Sequence, residues 1–207
     1  MKGMQHLRDL SFQFYRSRLR VFKKPAFSWA GFFSLPEANK KSQDSTFGRQ
    51  TIISFKIFSF FMLIEKCNLN HLPQLAMLFN EYRVHFGQES DLGVSYNFLK
   101  DRLENNQATI FAAINDDSRE IMGFTLLYPM FSSLKAKSTW TLNDMFISER
   151  YRKFGVATGL LEQVKEFGSD TDAQWVTLKT GIENTSAQAL YEKFGFKKDE
   201  THFYYYL

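Results

Sequence analysis

The sequence predicts an α+β fold: a mostly antiparallel central sheet of about six to seven strands, with helices on both faces. Three observations carry this reading. From Met62 onward, apolar β-compatible runs and runs of helical period follow one another as β–α–α–β–β–β–α–β–α–β–β. The cluster Asn115-Asp116-Asp117-Ser118 joins two adjacent strand-like runs, which is a hairpin signal. The 44% hydrophobic and 23% charged content is ordinary for a packed globular domain.

The elements follow in order. Phe61-Met62-Leu63-Ile64-Glu65-Lys66-Cys67 reads as the first strand of the domain. Asn68-Leu69-Asn70 offers an N-cap. Leu72, Leu75, Leu78, Phe79 and Tyr82 then share one helical face, and Gly87 ends that helix. A second helix is expected over 94–105, with Phe98, Leu99 and Leu103 inward. Strands are expected at 108–114, 121–128 and 138–147, the last being STWTLNDMFI. The charged loop from Ser148 to Phe154 precedes a helix over 155–167, with Val156, Leu160, Leu161 and Val164 inward. AQWVTLK (173–179) reads as a strand, 186–194 as a helix stopped by Gly195, and 196–198 and 201–207 as the last two strands.

The 207 residues divide into a leading segment, 1–61, and a domain, 62–207. The leading segment is basic and Phe-rich. It holds 11 Lys+Arg against 3 Asp+Glu, which leaves 15 of the 26 basic and 19 of the 22 acidic residues to the rest. The overall +4 therefore hides about +8 followed by about −4. Three readings compete for 1–61: a transit-like presequence, a membrane-surface or nucleic-acid arm, or non-native sequence ahead of a start at Met62. The non-native reading is favoured, with a disordered tail next. Nucleic-acid binding would rest on this segment alone, so none is expected of the domain. The apolar run 52–64 is interrupted by Lys56 and is shorter than the ~20 residues that span a bilayer, so no membrane association is expected. A single cysteine, Cys67, excludes an intrachain disulfide and fits a reducing, cytoplasmic setting. His71, His85 and His202 show no metal-ligand spacing, so no metal is expected.

The strongest chemical signal is Arg152-Lys153-Phe154-Gly155-Val156-Ala157, after an apolar strand and at the opening of an amphipathic helix. A helix start leaves backbone N–H groups unpaired and carries the positive end of the helix dipole. A glycine there lets an anion approach the backbone, and the two cations add charge at the mouth. Together they suit a pyrophosphate, although a generic cationic loop has the same look. The pattern is not a Walker loop, because Gly-Lys-Ser/Thr is absent, and no G-x-G-x-x-G occurs.

LNDMFI, SERYRKFGVATGLL and LKTGIENTSAQALYEKFGF, in this order and at these separations, resemble the motifs of the GNAT N-acetyltransferase superfamily. The resemblance spans about residues 62–207 and implies the GNAT fold, acetyl-coenzyme A as co-substrate and an amine as acceptor. It implies that Arg152, Lys153, Phe154, Gly155, Val156, Ala157 and Thr158 hold the pyrophosphate, with Ala157 a common variant of the last glycine. Met145, Phe146 and Ile147 would hold the pantetheine arm and acetyl carbonyl. Asn184 would contact the pantetheine arm, and Tyr191 would protonate the departing thiolate. Alone, Tyr191 also reads as a half-buried helix aromatic and Asn184 as an N-cap. Asp144 reads either as a carboxylate facing the acceptor amine or as a solvated strand residue.

The resemblance further implies direct attack of the amine in a ternary complex, with backbone N–H groups near Ile147 polarising the carbonyl. TLNDMFI is closest in look to diamine acetyltransferases, but these carry a Glu-Asp pair where this sequence has Asn143-Asp144. Tyr82-Arg83, Phe86-Gly87-Gln88 and Tyr128-Pro129-Met130-Phe131 are expected on the acceptor side, and the acidic balance of the domain favours a small cationic amine. The alternatives are a protein lysine or N-terminal acetyltransferase, or a non-catalytic acyl-coenzyme A-binding module. A homodimer is expected by resemblance.

Overall fold

The computed structural model describes Val21–Phe22 and residues 62–207. Strand β1 (Val21–Phe22) is a two-residue pairing against the start of β2 (Met62–Lys66). A 3-10 turn (Leu69–His71) leads into α1 (Leu72–His85) and α2 (Leu92–Glu104). Then come β3 (Thr109–Asn115), β4 (Ile121–Ser132) and β5 (Lys137–Ile147). A second 3-10 turn (Glu149–Tyr151) precedes α3 (Val156–Asp170), β6 (Val176–Leu178) and α4 (Thr185–Lys193). Sheet order follows chain order, antiparallel throughout except for the parallel pair β5–β6. The readings made for the rest of segment 1–61 lie outside the described residues.

The α+β architecture is as expected, but the sheet is smaller. Five strands, β2 to β6, stand where six to seven were expected past residue 62. The two missing are at the end: neither 196–198 nor 201–207 forms a strand. Phe203, Tyr204, Tyr205 and Tyr206 are all exposed. Their β-propensity describes a fit to a pleated, half-buried surface and does not make a strand without a paired neighbour. β6 also shrinks, from 173–179 to three residues.

Each helix starts and stops for local reasons. Asn68 Oδ1 accepts from Asn70 N at 2.9 Å, and Pro73 sits in the first turn of α1, where a missing N–H costs nothing. Gly87, at φ +81°, closes that helix in the left-handed region. Asp91 Oδ1 accepts from Val94 N at 2.9 Å, so α2 begins two residues before the expected Val94.

Helices α1 and α2 cover one face of the sheet. Leu72, Leu75, Phe79 and Leu99 pack there with Ile110, Ala112, Phe124, Leu126 and Phe146. Helix α3 covers the other, where Val156, Leu160, Leu161 and Val164 meet Phe111, Met122, Leu127 and Leu142. Leu190 and Tyr191 of α4 lean on this second cluster. At about 25 cal/mol per Å² of apolar surface removed from water, these two clusters dominate the stability of the domain.

Two features of β5 position the site. Leu126 faces Asp144 but Leu127 faces Leu142, so Asn143 is an extra, bulged residue. A strand of period two would send residues 142, 144 and 146 to one face. Here Leu142 packs on the α3 side and Phe146 on the α1–α2 side, so the bulge turns Asp144 and Phe146 over. The second feature is that β5 pairs with β6 only over Trp140–Val176, Thr141–Thr177 and Leu142–Leu178. From Asn143 to Ile147 the outer edge of β5 has no strand partner among the described residues, and the two parallel strands part.

Candidate active site

The parted strands open toward the start of α3. Ser148 N donates to Met122 O at 3.0 Å, and Tyr151 Oη donates to Glu120 Oε2 at 2.5 Å. Arg150 also pairs with Glu120. These ties fix the turn between β5 and α3. Lys153 (φ +67°) and Gly155 (φ +86°) both adopt left-handed backbone, and Gly155 is the N-cap of α3. No side chain caps that helix start and no acid lies in its first turn. The first-turn N–H groups, at Val156, Ala157 and Thr158, have no intrahelical acceptor, as at any helix start.

Arg152 Nε donates to Ile147 O at 3.3 Å, and its guanidinium lies 5.9 Å from the Phe146 ring centroid. The cation is thus tied to the open end of β5. Lys153 and Phe154 are exposed, Gly155, Ala157 and Thr158 are half-buried, and Val156 is buried in the core. Residues 152–158 thus surround one helix start, with the Val156 side chain turned into the core. Gly123 lies beneath: a Cβ there would stand 2.6 Å from Ile147 Cδ1 and 2.9 Å from Phe146 O. Only glycine lets β4 pass so close to the end of β5.

On the α1–α2 side, Asp144 is 8% exposed, which removes the reading of a solvated strand residue. Tyr82 Oη donates to Asp144 Oδ1 at 2.5 Å, and Asn143 Nδ2 donates to Asp144 Oδ2 at 3.0 Å. Burial, then the bond to Asp144 and its charge, push the Tyr82 phenol well above the ordinary tyrosine range. Burial, and then the charge of Asp144, raise Tyr128 as well. Around this carboxylate stands an aromatic wall. The Tyr82 ring meets Phe86 edge-on at 5.0 Å and Phe146 at 5.9 Å, and His85 lies 5.7 Å from Phe146. Of the residues expected on the acceptor side, Tyr82 and Phe86 stand beside Asp144 and Tyr128 packs on the same face, whereas Met130 and Phe131 lie farther along β4. Phe131, 81% exposed, pairs with Ser138, six residues along β5 from Asp144, or roughly 20 Å at about 3.3 Å per residue.

On the α3 side, Met145 and Ile147 are half-buried against the second core cluster, together with Leu178 and Tyr191. Burial raises the Tyr191 phenol, whose ring stands 5.9 Å from Phe196. Asn184 caps α4, its Oδ1 accepting from Ala187 N at 3.3 Å. Tyr191 therefore packs with the α3-side cluster, while Asp144 and its partner Tyr82 lie on the α1–α2 side of the sheet. A groove of about 1030 Å³ also opens beside β6, lined by α3, α4 and residues 195–199. It reaches Tyr191 but none of residues 145–147 or 152–158. That groove is lined by Lys165, Lys179, Lys197 and Lys198, whereas the parted strands and the α3 start hold Arg152, Lys153 and an uncapped helix start. Among the described residues, no three His, Cys, Asp or Glu side chains gather as a metal site.

Sequence reasoning missed the Asn143 bulge, which a hydropathy pattern does not show.

The parallel strands thus part beside an uncapped helix start flanked by Arg152 and Lys153. Residues 73–196 match the acetyltransferase (GNAT) family, and this chain belongs to that family of acetyltransferase enzymes. It is 37% identical over 146 residues to the "uncharacterized N-acetyltransferase YhfO" of Bacillus subtilis (strain 168), covering 70% of this chain and 97% of that protein. An "N-alpha-acetyltransferase" of Saccharolobus solfataricus is 33% identical over 110 residues, covering 50% of this chain and 65% of that one. The crystal structure of a probable acetyltransferase superposes with a TM-score of 0.67 at 38% identity, covering 70% of this chain and 95% of that one.

Proposed function

We propose that this chain transfers the acetyl group of acetyl-coenzyme A to the primary amine of a small molecule, by direct attack in a ternary complex. The observation that carries this reading is the buried Asp144 carboxylate, bonded to Tyr82 and walled by Phe86 and Phe146, on the face opposite Tyr191.

The residues present fit the coenzyme. The uncapped start of α3, with Gly155 at φ +86°, offers backbone N–H groups to a diphosphate, and Arg152 and Lys153 supply positive charge. The open edge of β5, Met145 to Ile147, offers main-chain donors and acceptors to an amide-bearing arm. Asn184 lies at the start of α4 for the same arm. When bound, the co-substrate supplies an acetyl group already activated as a thioester.

The chain does the rest. Asp144 holds the incoming ammonium and takes up its proton directly or through water. The freed nitrogen lone pair forms the N–C bond. Backbone N–H groups near Ile147 meet the negative charge that develops on the carbonyl oxygen, in a setting drier than bulk water. The C–S bond breaks, and Tyr191 gives its hydroxyl proton to the departing sulfur and regains one from solvent. A phenol raised by burial remains protonated at neutral pH, as a proton donor must.

The aromatic wall favours a compact acceptor over a long peptide. The second reading, a protein amino terminus as acceptor, is favoured by the N-alpha-acetyltransferase relative. Thiol release from acetyl-coenzyme A by the full chain decides between them, across small amines and a generic peptide. Release with a small amine is expected. Release with the peptide alone would replace the proposal with the second reading.

A further inference from the structure

We infer that the acceptor is an amino acid-like amine, carrying a carboxylate that Arg102 recognises. This rests on the small-amine reading and names the substrate class for that same site. Arg102 stands in the last turn of α2, four residues after Phe98, and its guanidinium carbon lies 4.9 Å from the Phe98 ring centroid. Phe98 stacks on Phe79 at 5.4 Å with the planes 5° apart, and Phe79 meets Tyr82 at 5.5 Å. Tyr82 in turn donates to Asp144. One continuous aromatic wall thus runs from a buried anion to a half-buried cation. Tyr128 of β4 packs on the same core cluster, and its phenol feels the charge of Asp144 and, in the opposite sense, that of Arg102.

The guanidinium is underused. Its Nε is buried and makes no hydrogen bond. Arg102 forms no ion pair among the described residues. An arginine in the last turn of a helix commonly spends its N–H groups on the final carbonyls, and this Nε does not. A buried donor without an acceptor is uncommon in folded proteins and calls for a partner. The planar fork of a guanidinium matches a carboxylate better than any other side chain does. Asp144 suits an ammonium, Arg102 suits a carboxylate, and the half-buried rings of Tyr82, Phe98 and Tyr128, backed by buried Phe79, suit the carbon frame that joins the two. The same arrangement sets a cation against the far end of any polyamine, which penalises that class.

The test is specificity, measured as kcat/KM with the full chain at saturating acetyl-coenzyme A. Lysine is paired with lysinamide and phenylalanine with phenylalaninamide, each pair compared at equal concentration of unprotonated amine. The wild-type chain is expected to prefer the acid member of at least one pair by about tenfold or more, equivalent to about 1.4 kcal/mol. Arg102→Met should bring that ratio near one, and Arg102→Lys should keep part of it. Loss of folded protein lowers both members of a pair and leaves their ratio, so the ratio reads recognition alone. A wild-type ratio near one, a ratio unmoved by Arg102→Met, or acetylation of no acid member would each overturn the inference. Acetylation of a peptide amino terminus with no panel member accepted would overturn the small-amine reading as well.

Discussion

Replacing Gly155 by alanine probes the coenzyme seat at its most constrained point. Gly155 holds φ +86° and ψ 5° at the N-cap of α3. A side chain in that left-handed region costs roughly 1–2 kcal/mol. For a domain of this size, about 2–4 °C of Tm is lost per kcal/mol, so Gly155→Ala should melt roughly 2–8 °C lower. The methyl group also stands where a diphosphate would approach the backbone. Losing one charge-assisted hydrogen bond costs about 1.5–3 kcal/mol, or roughly ten- to a hundredfold in Kd for coenzyme A. Calorimetric titration measures that Kd, and a thermal melt measures the strain. Two controls separate seat from strain. Gly181→Ala, at a glycine with open space around it, should change neither quantity. A truncated acetyl thioester lacking the diphosphate should be used equally well by wild type and Gly155→Ala. An unchanged Kd for coenzyme A in a variant that melts lower would refute the placement of the diphosphate at α3.

Three further outcomes follow from the same geometry. Tyr191→Phe should lower turnover on the order of a hundredfold while calorimetry finds the coenzyme Kd unchanged, because only the proton for the leaving sulfur is lost; unchanged turnover would remove Tyr191 from its role. Gly123→Ala should destabilise by about 1–3 kcal/mol, since its Cβ would press on Ile147 Cδ1 and the Phe146 carbonyl; an unaltered denaturation midpoint would show that β4 and β5 can separate without cost. Stability should fall as pH rises past about 10, because Tyr82, Tyr128 and Tyr191 all hold their protons more tightly folded than unfolded, so the unfolded chain binds fewer protons there. Chemical denaturation from pH 9 to 11 checks this, and Tyr82→Phe should flatten the decline; a slope unaltered by that substitution would count against the Tyr82–Asp144 bond.

Much of this was legible in the residues because it is local. Helical periods placed Leu72, Leu75 and Phe79 inward, and the Arg-Lys-Phe-Gly run marked a helix start whose N-cap glycine holds a positive φ. Asp144 was legible as a residue but not in its surroundings. Its partner Tyr82 lies 62 positions away, and a one-residue bulge decides which face the carboxylate takes. Alternation alone would have set it on the α3 side. Arg102 was hidden for a related reason: its meaning comes from Phe98, Phe79 and Tyr128, which two helices and a strand bring together. The last two strands were overread because aromatic composition at 201–207 satisfies strand propensity without supplying a neighbour to pair with.

The most direct test of the central claim is a crystal structure of the full chain with coenzyme A. The account predicts the diphosphate within hydrogen-bond distance of the backbone N–H groups at the start of α3, the pantetheine arm along Met145 to Ile147, and the sulfur beside Tyr191. A coenzyme seated in the groove beyond β6, away from Gly155, would contradict it.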